Sequence, residues 1–93
     1  MALYTFVLEH GGGTFISQVA SSDVQQAFAS WIERMRAEPA SDGISMSVWK
    51  AFADADSEDL VAVKGLKGVW CASAIADEVL ALLNVISTNA NGV

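Results

Sequence analysis

VWCASAIADEVLALLNVIS, residues 69–87, is the stretch whose reading decides the fold. As a helix it sets Ile75, Val79, Leu82, Leu83 and Ile86 at offsets of 0, 4, 7, 8 and 11, and its alanines suit that state. As a hairpin it is two apolar strands, Val69 to Ala76 and Val79 to Ser87, joined at Asp77-Glu78 and running into the β-favouring Val85-Ile86-Ser87-Thr88. Periodicity favours the helix over residues 73–86. The choice matters because a hairpin here doubles the sheet that the other end of the chain begins.

That other end reads as a β-hairpin. Leu3 to Leu8 and Thr14 to Val19 are rich in β-branched, aromatic and aliphatic residues, and Gly11-Gly12-Gly13 between them allows the positive φ angles of a tight reversal. By the period-two rule Tyr4, Phe6, Leu8 and His10 share one face and Leu3, Thr5, Val7 and Glu9 the other. The first set is the more apolar and is expected to be buried. Phe15, Ser17 and Val19 alternate less cleanly with Thr14, Ile16 and Gln18, so both faces of the second strand are expected to be partly covered. An isolated ribbon is marginal in water, so the rest of the chain must cover this one.

Helical signals fill the middle. Ser22 with Gln25 fits a capping box, and Val24, Ala27, Phe28, Trp31, Ile32 and Met35 form one apolar stripe of a helix over Ser22 to Glu38. Arg34 and Arg36 stand near its C-terminal end, where the helix dipole favours cations, and Pro39 stops it. Ala40 to Gly43 reads as a connection. Residues 44–53 support either a short helix, through Ile44, Val48, Ala51 and Phe52, or a strand, through the alternation of Ile44, Met46 and Val48 with serines. The helix is preferred, since Trp49 to Ala53 breaks the alternation. Asp54 to Asp59 reads as an acidic turn and Leu60 to Val63 as extended chain; Gly65 and Gly68 bracket a turn, and residues 89–93 are expected to be a disordered tail.

Tyr4-Thr5-Phe6-Val7-Leu8-Glu9, Gly12-Gly13-Thr14-Phe15-Ile16-Ser17-Gln18-Val19, Val69-Trp70-Cys71 and Leu80-Ala81-Leu82-Leu83-Asn84-Val85-Ile86 together resemble a group of small uncharacterised bacterial proteins. That resemblance covers both ends of the chain, implies two strands around a turn for the last segment, and carries no catalytic assignment. The opening hairpin also resembles the start of HicB-like antitoxins. The proline-rich element that follows in that family is absent here, where Ser21 leads straight into a helix, and no activity is carried over.

Composition narrows the functional classes. Ninety-three residues without a long polar tract suggest one domain over 1–93. A hydrophobic share of 53% and a mean hydropathy of +0.38 exceed the usual for a soluble domain, which points to a generous core and to apolar surface meeting another protein, hence a homodimer. The net charge of −6 and pI near 4.3, with Arg34, Arg36, Lys50, Lys64 and Lys67 scattered, argue against nucleic acid and against anionic membrane. No apolar run approaches the ~20 residues that span a bilayer, and no secretory signal is visible. With Cys71 the single cysteine, a cytoplasmic location is expected.

No residue is assigned a catalytic, cofactor-binding or metal-binding role. His10 beside Glu9 is the nearest approach to an acid/base pair, but neighbours on a strand point to opposite faces. Asp54 to Asp59 imitates a calcium loop yet has Asp59 where glycine is needed and Gly65 where the bidentate glutamate belongs. The glycines at 11–13 lead into a strand, whereas phosphate loops lead into a helix. Cys71 has neither base nor cation beside it in sequence and reads as a buried thiol. Of the tryptophans, Trp31 lies on the helix stripe, and Trp49 falls off the Ile44/Val48/Phe52 line. Trp49, His10 and Tyr4 are the candidate interaction residues.

The expectation is an α+β domain of order ββααββ, with two terminal hairpins in one antiparallel sheet and one long and one short helix on a single face. The other face, or an edge strand, is then offered to a protein partner or a second copy. The leading functional reading is a non-enzymatic interaction module, a small acidic antitoxin- or immunity-type protein or a self-assembling accessory protein. The alternative is a small-ligand-binding or catalytic domain with a pocket between helix and sheet near His10 and Trp49.

Overall fold

Seven elements follow one another in the computed structural model, which describes residues 2–37, 46–54 and 60–88: β1 (Ala2–His10), β2 (Gly13–Ser21), α1 (Val24–Ala37), α2 (Met46–Asp54), β3 (Val61–Ala62), β4 (Val69–Ala76) and β5 (Val79–Ser87). The fold is α+β, and the order ββααββ holds apart from the extra two-residue strand β3. Residues 38–45, which hold Pro39 and the expected Ala40 to Gly43 connection, residues 55–59 of the expected Asp54 to Asp59 turn and the 89–93 tail lie outside the described residues, while Asp54 itself ends α2.

Both hairpins turn on two residues. β1 and β2 pair from Ala2 with Ser21 to His10 with Gly13, and Gly11 and Gly12 take φ of 60° and 82°. Positive φ at both central positions gives a turn whose twist matches that of the strands it joins. The third glycine, Gly13, already belongs to β2. β4 and β5 pair from Val69 with Ile86 to Ala76 with Val79 around Asp77 and Glu78, which take φ of 54° and 63° without being glycines. That left-handed backbone costs each of them about 1 kcal/mol. The Ser47 hydroxyl, on α2, donates to the Asp77 carboxylate and ties down the turn.

Residues 69–87 are therefore a hairpin, against their helical periodicity. In β5, Ala81, Leu83 and Val85 face the helices while Leu80, Leu82 and Ile86 face away, so both sides are apolar. Strands apolar on both sides lose the alternation that marks a strand, and helical spacing appears by default.

All pairings are antiparallel, in the order β2-β1-β5-β4-β3, so the two ends of the chain meet at the centre of the sheet along Tyr4–Ser87 to Glu9–Leu82. Tyr4, Phe6 and Leu8 are buried as expected, with Ala81, Leu83 and Val85 of β5 and Ala72 and Ala76 of β4, beneath both helices. Trp31 stacks on Phe6 with centroids 5.1 Å apart and planes 13° from parallel, while Phe52 of α2 meets Trp31 edge-on at 5.7 Å. Each such side chain contributes ~2–3 kcal/mol through burial alone.

The α1 stripe is as read, with Val24, Ala27, Phe28, Trp31 and Met35 buried and Ile32 half-buried. Its cap lies one residue later than the sequence suggested. Asp23 accepts the Gln26 amide at 2.8 Å, and Ser22 donates to the Gln26 side chain at 2.7 Å, because a helix starting at Val24 places Asp23 at the N-cap. Residues 46–54 are helical, and among the described residues no helix is long and apolar enough to cross a membrane.

Candidate functional site

Both helices lie on one face of the sheet, and the described chain leaves the other bare. Strand register sets the bare face out in rows. One row runs Ile16, Val7, Asn84, Cys71 and Val61 across all five strands; a second runs Thr14, Glu9, Leu82 and Ser73; a third runs Gln18, Thr5, Ile86 and Val69. Leu80 and Ile75 pair beyond the second row, and Ala20 and Leu3 beyond the third.

Large apolar side chains on this face stand in water. Ile16 is 67% exposed, Ile75 64%, Val61 57%, Leu80 50% and Leu82 41%. Scattered exposed aliphatics are ordinary, but five on one side of one sheet give that side the apolar character of an interaction surface. Val61, Cys71, Ser73, Leu82 and Asn84 line a depression of ≈ 280 Å³ in it. In the third row Thr5 Oγ1 bonds Thr88 Oγ1 at 2.7 Å and accepts Gln18 Nε2 at 3.1 Å, while Thr14, Glu9, Ser73 and Asn84 are polar positions elsewhere on the face.

β2 alternates more cleanly than its sequence suggested. Thr14, Ile16, Gln18 and Ala20 are exposed on the bare face, and Phe15, Ser17 and Val19 are half-buried beneath α1. Cys71 is half-buried on the bare face, where the register puts it beside Asn84; it is not the enclosed thiol expected, because no helix covers that side.

None of the three candidate interaction residues is on this surface. Tyr4 is buried on the covered face, its ring 6.0 Å from that of Trp70, and is not available to a partner. Its strand parity, shared with Phe6 and Leu8, was the signal for that. His10 is half-buried, and its Nε2 lies 2.9 Å from the Ala76 carbonyl, so the ring links β1 to the end of β4. Glu9 points to the opposite face and cannot orient that ring. Trp49 is half-buried against the core with Lys50 Nζ 6.0 Å from its ring centre, and its enclosed Nε1 has no acceptor among the described residues. Among those residues no three of His, Cys, Asp and Glu converge as metal ligands.

The fold and the surface together define a class: a two-layer α+β domain whose antiparallel sheet has one face under helices and one face open and apolar. Compared with protein-family models, with curated proteins and with solved structures, the chain finds no match.

Proposed function

We propose that this chain is a non-enzymatic protein-interaction module that works through the bare face of its sheet. The observation that carries the reading is the set of Ile16, Val61, Ile75, Leu80 and Leu82, exposed on the same face of the sheet. Such a surface is stable in water only at a cost of roughly 25 cal/mol for each Å² of apolar area, which a protein partner removes. Within that role it acts as a small acidic neutralising protein of the antitoxin or immunity type, or as a self-assembling accessory protein of the cytoplasm. The net charge of −6 suits docking on a basic partner through other parts of the surface. Nothing in the structure favours the competing reading of a ligand pocket near His10 and Trp49, since the His10 ring is already engaged by the Ala76 carbonyl.

Leu82→Lys tests the proposal, because it charges the patch at a half-exposed position outside the core. Captured from an extract of its own cells, the wild-type chain is expected to bring down a partner or a second copy, and the variant, with unchanged circular dichroism, to bring down neither. Equal recovery by both chains, or none by either, overturns the reading.

A further inference from the structure

We infer that the bare face is the contact between two copies of this chain, stacked sheet on sheet about a two-fold axis, with Asn84 of one copy against Asn84 of the other. The inference rests on the reading of that face as an interface and adds the occupant. Asn84 sits at its centre: β5 is the third of five strands, and the row Ile16, Val7, Asn84, Cys71, Val61 has two rows on either side. In a face-to-face pair the two-fold axis lies within the interface. Whichever direction it takes there, an axis through the centre brings each central residue onto itself.

Asn84 is the polar residue at the centre of the face, and Glu9, Thr14, Thr5, Gln18 and Ser73 stand around it. It is half-buried in the floor of the depression, surrounded by Val61, Cys71 and Leu82, and its amide takes part in no hydrogen bond among the described residues. Covered by an apolar surface, the amide would lose water and gain nothing. A carboxamide carries both a donor and an acceptor, so two of them satisfy each other, and a second copy supplies the matching group by symmetry. A single buried Asn fixes register between coiled-coil helices in the same way.

Charge and area agree with a second copy. Two chains of net charge −6 repel through most of their surfaces, but on this face Glu9 is the single charged residue among those in register. A phosphate backbone, an anionic lipid surface or a basic peptide would find almost nothing to complement. Four full strands of eight or nine residues, ~4.8 Å apart with ~3.3 Å per residue, present a plane of roughly 550 Å² per copy. Two copies together bury roughly 1,100 Å², above the ~1,000 Å² that separates a specific interface from a chance contact.

Edge-to-edge pairing is the competing arrangement, and the edges are poorly suited to it. Because the Thr88 amide donates to the Leu3 carbonyl, Leu3, Thr5 and Val7 turn their backbone groups to β5, and Tyr4, Phe6 and Leu8 turn theirs to β2. On β2 it is then Thr14, Ile16, Gln18 and Ala20 that face outward, and the outward Gln18 carbonyl already accepts Arg34 Nη1 at 3.0 Å. The opposite edge ends in β3, two residues long.

Light scattering on the full chain after size exclusion tests the pairing; the expected mass is twice 9.8 kDa. Asn84→Asp sets two carboxylates against each other at the axis and is expected to raise the dissociation constant at least ~100-fold with circular dichroism unchanged. In a Cys71→Ser background, Asn84→Cys is expected to be cross-linked to its copy by a short bis-maleimide, because stacked sheets hold the two Cα atoms roughly 8–10 Å apart, beyond the reach of a direct disulfide. A wild-type chain that stays monomeric at about 100 µM, where even weak specific pairs assemble, overturns the inference. So does a dimer that Asn84→Asp leaves intact and Asn84→Cys does not cross-link. In either case a partner lost on Leu82→Lys leaves the broader interaction reading standing, which separates the two failures.

Discussion

Leu82 and Leu83 are chain neighbours in the same strand, yet one is 41% exposed and the other 0%. Their difference is that of the two sheet faces as a whole. The covered face meets Phe28, Trp31, Val48 and Phe52 from the helices, while the bare face, richer in Val, Leu and Ile, meets water. Two helices of 14 and 9 residues suffice to cover one side of five strands and no more. Among the described residues an apolar surface is therefore left uncovered, and it is the one the proposed assembly would cover.

Replacing residues one face at a time sharpens this contrast. The largest effect is expected from Trp31→Ala, which opens a cavity between Phe6, Phe28 and Phe52 and lowers stability by about 4 kcal/mol in urea unfolding. A loss below about 1 kcal/mol would mean that the covered face is not the core described here. Next comes the neighbouring pair. Leu83→Ala is expected to lower stability by about 3 kcal/mol at any protein concentration. Leu82→Ala is expected to lower it by less than about 1 kcal/mol in dilute solution, and by more as concentration rises and pairing buries that side chain. Equal losses from the two would erase the distinction between the faces.

The smallest effect has the opposite sign. Glu78 holds a positive φ in the turn that joins β4 to β5, the strands carrying the exposed Ile75, Leu80 and Leu82. Glu78→Gly relieves that backbone and is expected to stabilise the chain by about 0.5–1 kcal/mol, read as a raised melting temperature. An unchanged or lower melting temperature would show that this turn is not the two-residue reversal seen here.

Much of the fold was legible where the signal is local. The Gly11-Gly12 turn, the alternation of Tyr4, Phe6 and Leu8, and the stripe from Val24 to Met35 each report on residues a few positions apart, and each was read correctly. The candidate site was legible only in outline: one sheet face free for a partner was anticipated, but Trp49, His10 and Tyr4 were the residues singled out, and none lies on it. Tryptophan and histidine attract notice by chemistry, whereas Ile16, Val61, Ile75 and Leu80 become a surface only through strand register, which no single segment encodes.

By itself, then, the sequence determined the first hairpin, the long helix and the surplus of apolar residues, because turn geometry and side-chain period act within one element. That residues 69–87 form strands was implied by the resemblance against their own period, and tertiary structure alone decided that β5 lies beside β1 at the middle of the sheet. The physical reason is that this central strand takes the hydrogen bonds of one edge from chain nearly eighty residues away. With apolar neighbours wanted on both sides, it keeps no period of its own to betray it.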